Sequence, residues 1–170
     1  VVRYGNVMGS RGSIIPFFLN LKEIGEFPIT DPRMTRFMIT LEAAVKLVWH
    51  AFDDMQGGEI YVKKIPSMAI PDIATAISET AKQKTIGIRP GEKIHEQMIG
   101  LEDAPHTYEY DDHYKILPAI YNWSSDPKRN KGGTKVDENF TYSSGSNKEW
   151  MSINDLQQWI DANSMQIGKI

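Results

Sequence analysis

An α/β fold is predicted for this chain of 170 residues, and three observations predict it. Helix-spaced apolar residues over Leu41 to Asp53 give way, past Gly57-Gly58, to the strand-like run Glu59 to Val62. The alternation returns where a helical pattern over Asp72 to Lys82 is followed by the extended run Thr85 to Ile88. Helix and strand alternating in this way build a sheet with helices on its faces. The third observation is that the polar, glycine-bearing strings fall on the turns between these elements, where α/β sheets hold ligands.

The elements follow in order. Val1 to Gly5 is predicted as a short buried strand ending at a polar turn, and Met8 to Ser13 as a glycine and serine loop. Ile14 to Ile24 has helical spacing, with Ile14, Phe17, Phe18 and Leu21 expected on the buried side. Pro16 sits in its first turn, where proline is tolerated, and Gly25 ends it as a C-terminal cap. Phe27 to Asp31 and Arg36 to Thr40 are short extended pieces. Thr40 then caps the helix beginning at Leu41, whose buried face is expected to be Leu41, Ala44, Val45, Val48 and Phe52. The helix over Asp72 to Lys82 is expected to bury Ile73, Ala76, Ile77 and Thr80. Glu92 to Ile99 is predicted as a short helix, which would put Arg89-Pro90-Gly91 at a strand-to-helix junction that favours anions. A strand is expected around His113 to Leu117, and a long polar surface loop over Ser124 to Asn139. Ser152 to Asp155 fits a capping box opening a helix with Ile153, Leu156, Trp159 and Ile160 on one face.

The length suits one domain with a real core. The first residue is Val1, inside an apolar run, so a truncated chain is expected. A net charge of −3 argues against nucleic acid as a partner. The absence of cysteine excludes disulfides and thiolate metal sites. No apolar run has the length to span a bilayer and no signal peptide is visible, so a cytoplasmic protein with no membrane partner is expected. His50, His95, His106 and His113 lack zinc-site spacing, and His95-Glu96 is not completed by a histidine at Ile99, so no metal site is expected. Trp49, Trp150 and Trp159 are expected to be packing residues.

Two arginines stand out. Arg89 ends an apolar run, is followed by Pro90, and faces a glycine that admits close approach. Arg36 follows a strand turn. The planar guanidinium fork suits phosphate, although a lone arginine at the position of Arg36 more often serves as a surface ion-pair residue. Glu92, three residues after Arg89, is either an acidic group in a first helical turn or an acceptor for ribose hydroxyls. Asn6 is either a turn former or a sugar-binding amide at the end of a sheet strand. Arg11, in Gly9-Ser10-Arg11-Gly12-Ser13, is either a solvated loop charge or a ligand contact. That loop is not a P-loop, because it lacks the Gly-Lys-Ser/Thr ending.

Taken together, Arg3-Tyr4-Gly5-Asn6-Val7, Gly9-Ser10-Arg11-Gly12-Ser13, Pro28-Ile29-Thr30-Asp31, Met34-Thr35-Arg36-Phe37 and Arg89-Pro90-Gly91-Glu92-Lys93 resemble the extended short-chain dehydrogenase/reductase enzymes that modify nucleotide sugars. The fuller strings Arg3 to Pro16, Ile29 to Phe37, Gly57 to Ile60, Ile65 to Met68, and Tyr142-Ser143-Ser144 with Trp150 resemble its inverting UDP-N-acetylglucosamine 4,6-dehydratases of bacterial pseudaminic acid synthesis. The resemblance covers nearly the whole chain, and only the C-terminal half of the family enzyme.

The resemblance implies the C-terminal part of a Rossmann-type fold with a smaller α/β substrate domain. Residues 1–13 and 41–63 would belong to the Rossmann part, and 14–40 and 64–170 to the nucleotide-sugar part. It implies that Asn6 contacts the sugar or its phosphate, that Arg11 and Ile14 face the UDP-sugar, and that Pro28 to Thr30 edge the uracil. Arg36 and Arg89 would clamp the diphosphate, Glu92 would hold the ribose, and Val7 would line the nicotinamide site. Loss of Arg89 to alanine would then cost about 2–5 kcal/mol of substrate binding, as for a buried charge losing its partner. The cofactor would be NADP or NAD, bound mainly by residues outside this chain, which has neither a glycine-rich dinucleotide fingerprint nor a Tyr-x-x-x-Lys pair. The catalytic acid and base would lie there too, and the fragment alone is expected to be inactive. The implied reaction is redox-neutral. Hydride leaves C4, water is lost across C5 and C6, hydride returns to C6, and C5 is reprotonated with inversion. A homo-oligomer is implied for the complete enzyme. Two other readings stay open: a capsule-type UDP-sugar 4,6-dehydratase or epimerase, and a non-catalytic UDP-sugar-binding module.

Overall fold

The computed structural model describes residues 1–119 and 126–169. It divides into two compact units, one formed by residues 1–4, 41–65 and 97–143, the other by residues 5–40, 66–96 and 144–170. These bounds differ from the expected partition at three places, the smallest being residues 64 and 65, which fall with the first unit. Residues 97–143 fall with the first unit because their strands pair with its sheet, and residues 5–13 fall with the second.

In the first unit, β1 (Val2–Arg3) pairs in parallel with β5 (Ile60–Lys63). Beyond β5 come β10 (His113–Ile116), β9 (Thr107–Glu109) and β11 (Thr134–Lys135), all antiparallel, so β1 is one edge of a five-stranded sheet. The parallel pair β1–β5 is joined through helix α2 (Leu41–Asp54), as a crossover requires. β8 (Gln97–Ile99) and β12 (Tyr142–Ser143) form a separate antiparallel pair, closed by the Tyr142 hydroxyl, which donates to the carbonyl of Ile65 at 3.0 Å and accepts from its N–H at 2.9 Å.

α2 corrects the sequence expectation. The face against the sheet is Ala44, Leu47 and Ala51, packed with Tyr61 and Val2. Leu41, Val45 and Phe52, expected inside, are exposed, Phe52 by 60%, and Trp49 is 64% exposed rather than packed. The helix thus carries two apolar stripes about a third of a turn apart, and only one meets the sheet.

A polar cluster lies behind β5 and β10. Lys115, 5% exposed, pairs with Asp54, which also accepts from the Tyr61 hydroxyl at 2.7 Å. His113, 6% exposed, stacks on Tyr110 at 4.6 Å and meets Asp112 through Nδ1 at 2.7 Å. Its Nε2 has no hydrogen-bond partner among the described residues. Burial holds the His113 pKa below its ordinary 6.5, helped by the charges of His50 and Lys115 and opposed by Asp112. A depressed histidine is neutral in the folded chain while the unfolded chain takes up a proton below about pH 6.5. Stability is therefore held above that pH and lost on acidification. Thermal melts from pH 7.5 to 5.5 are expected to show a falling midpoint, and His113→Phe to flatten the slope; parallel slopes would contradict this.

The second unit starts with β2 (Asn6–Val7), parallel to β4 (Thr35–Ile39), which pairs antiparallel with β6 (Ser67–Ala69). The opening strand predicted over Val1 to Gly5 is β1 alone, and β2, which pairs with β4, forms just beyond it. Val1 is exposed rather than buried. α1 (Ile14–Leu21) continues into a 3-10 turn at Lys22–Ile24 and stops at Gly25, whose φ of +72° supplies the left-handed cap. β3 (Glu26–Ile29) lies parallel to β7 (Lys82–Thr85) in a two-stranded sheet. α3 (Ile70–Ile77), with a proline in its first turn, and α4 (Ile153–Asn163) complete the unit. α3 starts and ends earlier than predicted, and the following strand shifts with it from 85–88 to 82–85. α4 opens with both halves of the Ser152–Asp155 capping box in place.

The core of this unit joins Ile15, Phe18, Phe27, Ile29, Met38, Met68, Ile73 and Leu156. From α1 the buried residues are Ile15 and Phe18, while Phe17 is exposed. Trp159 packs against the core, but Trp150 is half exposed and its Nε1–H donates to the carbonyl of Asn147. The predicted helix over 92–99 is absent, since Glu92 to Glu96 is irregular and β8 follows. The expected polar loop over 124–139 is turns apart from β11; Ser124 and Ser125 lie outside the described residues.

Candidate functional site

The second unit contains a cavity of about 340 Å³ lined by Asn6, Gly12, Ile14, Phe17, Phe18, Pro28, Thr30, Met34, Arg36, Ile70, Ile86, Arg89 and Glu92. Its floor is apolar, made by Phe18, Met34 and Ile70, all buried. Asn6, Thr30, Arg36, Arg89 and Glu92 supply the polar groups. A cavity with an apolar floor and a few convergent polar groups is the usual form of a small-molecule site.

Local chain geometry explains each placement. Side chains alternate along β3, so Phe27 and Ile29 enter the core while Pro28, with Thr30 just beyond the strand, faces the cavity. Pro28 is tolerated because β3 pairs on one side only, with β7. The same alternation along β2 brings Asn6 to the cavity and leaves Val7 off it. Ile14 is the first residue of α1, whose first turn has no acidic side chain. The Ser13 hydroxyl there is buried without a hydrogen-bond partner among the described residues.

The two arginines are held differently. Arg36 lies on β4 with its side chain 18% exposed. Its Nη1 donates to the carbonyls of Thr35 at 2.7 Å and Ile94 at 3.2 Å, and its Nε lies 3.8 Å from Glu96 Oε1. Arg89 is exposed, and its guanidinium has no hydrogen-bond or ion-pair partner among the described residues. Its anchor is the backbone. The Glu92 N–H donates to the Arg89 carbonyl at 3.1 Å across Pro90 and Gly91, the latter at φ +85°. That is a type II turn with proline and glycine where the turn requires them. Glu92 Oε2 closes it by accepting the Arg89 N–H at 3.0 Å. The expected strand-to-helix junction is thus a β-turn, and no helix dipole contributes. The buried-charge basis of the Arg89→Ala expectation also falls, because Arg89 is exposed.

The cavity brings together Asn6, Ile14, Pro28, Thr30, Arg36, Arg89 and Glu92. It does not include Arg11, which is exposed and whose Nη2 donates to the carbonyl of Lys169 at 3.1 Å. Sequence reasoning missed Phe17, Phe18, Met34, Ile70 and Ile86 as cavity residues. Apolar residues carry no local mark that separates a cavity wall from a core. Chemically, two cations beside one carboxylate suit a ligand with a diphosphate and hydroxyls.

A family model described as polysaccharide biosynthesis protein matches residues 1–118. The UDP-N-acetylglucosamine 4,6-dehydratase (inverting) of Campylobacter jejuni is 48% identical over 168 residues, covering 95% of this chain and 50% of that protein. A UDP-glucose 4-epimerase of Rickettsia canadensis is 42% identical over 121 residues, covering 68% of this chain and 36% of that protein. The X-ray structure of Pen from Bacillus thuringiensis superposes with a TM-score of 0.80 at 30% identity, covering 96% of this chain and 50% of that one. The chain spans about half the length of the dehydratases it matches. Its α/β architecture is the C-terminal part of a Rossmann-type short-chain dehydrogenase fold. No helix among the described residues is long and apolar enough to cross a membrane.

Proposed function

This chain belongs to the polysaccharide biosynthesis protein family, and on that premise we propose that it is the nucleotide-sugar-binding portion of an inverting UDP-N-acetylglucosamine 4,6-dehydratase. The observation that carries the reading is the shared cavity of Asn6, Arg36, Arg89 and Glu92 over an apolar floor. Arg36 and Arg89 take the diphosphate, Glu92 accepts from the ribose through the oxygen its turn leaves free, and Asn6 meets the hexose side. Pro28 and Thr30 border the uracil, with Arg11 beside the cavity at the loop. These residues bind and orient. Their interaction with parts of the substrate remote from the reacting carbons is what presents the hexose in one pose.

The cofactor proposed is a nicotinamide dinucleotide, NADP or NAD. Of this chain's residues Val7 is assigned to its site, and the chain contains no glycine-rich fingerprint. The redox chemistry belongs to polypeptide outside this chain, and the complete protein is proposed as a cytoplasmic homo-oligomer. The Rickettsia relatives, UDP-glucose 4-epimerases, support a second reading, a UDP-sugar epimerase, over a smaller share of the chain. Calorimetric titration with UDP-N-acetylglucosamine, UDP and dTDP tests the site. Binding of both uridine compounds is expected, and a folded protein that binds neither overturns the reading. Product analysis separates the two reactions: a 4-keto-6-deoxy sugar supports dehydration, and a C4 epimer without water loss supports the epimerase.

A further inference from the structure

Arg36 is attached to a closed circuit of hydrogen bonds that no proposed ligand contact explains. The carbonyl of Thr35 accepts from Arg36 Nη1 at 2.7 Å and from Ser144 Oγ at 3.2 Å. Ser144 Oγ lies 2.7 Å from Thr35 Oγ1 and accepts the Glu96 N–H at 2.9 Å. The Ser144 N–H returns to the Glu96 carbonyl at 2.8 Å. Glu96 Oε2 accepts the Phe37 N–H at 3.1 Å, which turns Oε1 toward Arg36 Nε. Thr35 Oγ1 also lies 2.8 Å from His95 Nδ1. Ser144 has no exposed surface and Thr35 is 6% exposed. A Cβ at Gly145 would sit 2.6 Å from the His95 ring, so glycine is needed there for the ring to close the circuit.

One arrangement of protons satisfies every contact. Ser144 has a single hydroxyl hydrogen, and it goes to the Thr35 carbonyl. The Thr35 hydroxyl then donates to Ser144, and His95 donates to Thr35 through Nδ1–H. The Thr35 carbonyl has both lone pairs filled, one by Ser144 and one by Arg36.

We infer that Ser144, Thr35 and Glu96 are positioning residues that set Arg36 before ligand arrives, so that the diphosphate clamp has one fixed arm and one closing arm. Of the five guanidinium hydrogens of Arg36, the two on Nη1 go to Thr35 and Ile94 and the one on Nε faces Glu96. Two on Nη2 remain for one phosphoryl group. Arg89 keeps all five and supplies the two-pronged contact, at the cost of ordering its side chain on binding. This inference rests on the nucleotide-sugar reading of the cavity.

The test is a double-mutant cycle on UDP affinity in the complete protein, read by calorimetry. Ser144→Ala is expected to weaken UDP about tenfold, and to have no further effect when Arg36 is already alanine. Glu96→Gln keeps the Phe37 contact through its amide oxygen and leaves the buried hydroxyls in place. It is expected to act the same way, and it keeps the cycle readable if Ser144→Ala fails to fold. Arg36→Lys is expected to lose affinity like Arg36→Ala, because one ammonium cannot serve Thr35, Ile94, Glu96 and phosphate together, whereas Arg89→Lys retains most of it. Effects of Ser144→Ala and Glu96→Gln that simply add to Arg36→Ala overturn the positioning role and leave the site reading intact. A folded wild-type protein that does not bind UDP overturns the site reading itself, and the inference with it.

Discussion

Phe18→Ala is expected to lower stability by about 3–5 kcal/mol. Phe18 is 1% exposed and stacks on Phe27 with ring centroids 4.9 Å apart and planes 20° from parallel. It belongs to one core cluster with Ile15, Ile29, Ile73 and Met68, from α1, β3, α3 and β6, so its removal opens a void in a core to which four elements contribute. The loss therefore combines the transfer term with a cavity term. Its neighbour Phe17 is exposed, and Phe17→Ala is expected to cost less than about 1 kcal/mol. Urea unfolding of the two variants checks the contrast, and equal midpoints would contradict it. Phe18 also floors the ligand cavity, so Phe18→Ala is expected to weaken UDP binding as well.

Arg36→Ala is expected to cost about 2–5 kcal/mol of UDP affinity, as when one partner of a buried, hydrogen-bonded charge is removed. The variant also removes one of the two hydrogen bonds accepted by each of the Thr35 and Ile94 carbonyls and leaves the Glu96 carboxylate without its cation. An uncompensated carboxylate near a diphosphate repels it. Arg89→Ala is expected to cost about 1 kcal/mol, the range of an exposed ion pair. Calorimetry with UDP at low and high salt separates them: the Arg89 contribution fades with salt, and that of Arg36 persists. An Arg36→Ala variant within twofold of wild type would contradict this ranking.

The signals written in adjacent residues were legible. Gly25 marked the end of α1 because its backbone takes a conformation that side chains disfavour. Ser152 and Asp155 marked the start of α4 because both cap bonds are local. The polar cavity residues and Pro28 were legible because glycine, proline and polar residues at the ends of short strands have few structural reasons to occur in that order. The stretch after Glu92 was not legible. Its backbone groups are taken by distant partners: the Ile94 carbonyl accepts the Thr35 N–H, and the Glu96 carbonyl accepts the Ser144 N–H. No window of neighbouring residues contains those partners, so a helical pattern prevailed on paper. The buried face of α2 was ambiguous for another reason. Two apolar stripes share one helix, and periodicity records that stripes exist without saying which one meets a sheet.

The outer stripe of α2 bears on how the molecule behaves in a tube. Leu41, Val45, Phe52 and Trp49 present several large side chains to water along one helix, more than scattered surface residues would. Sulfate salts strengthen the withdrawal of such surface from solvent. Preparations of this chain should therefore salt out early and be held back on phenyl resin, and a charge placed at Val45 should release them while leaving nucleotide affinity untouched.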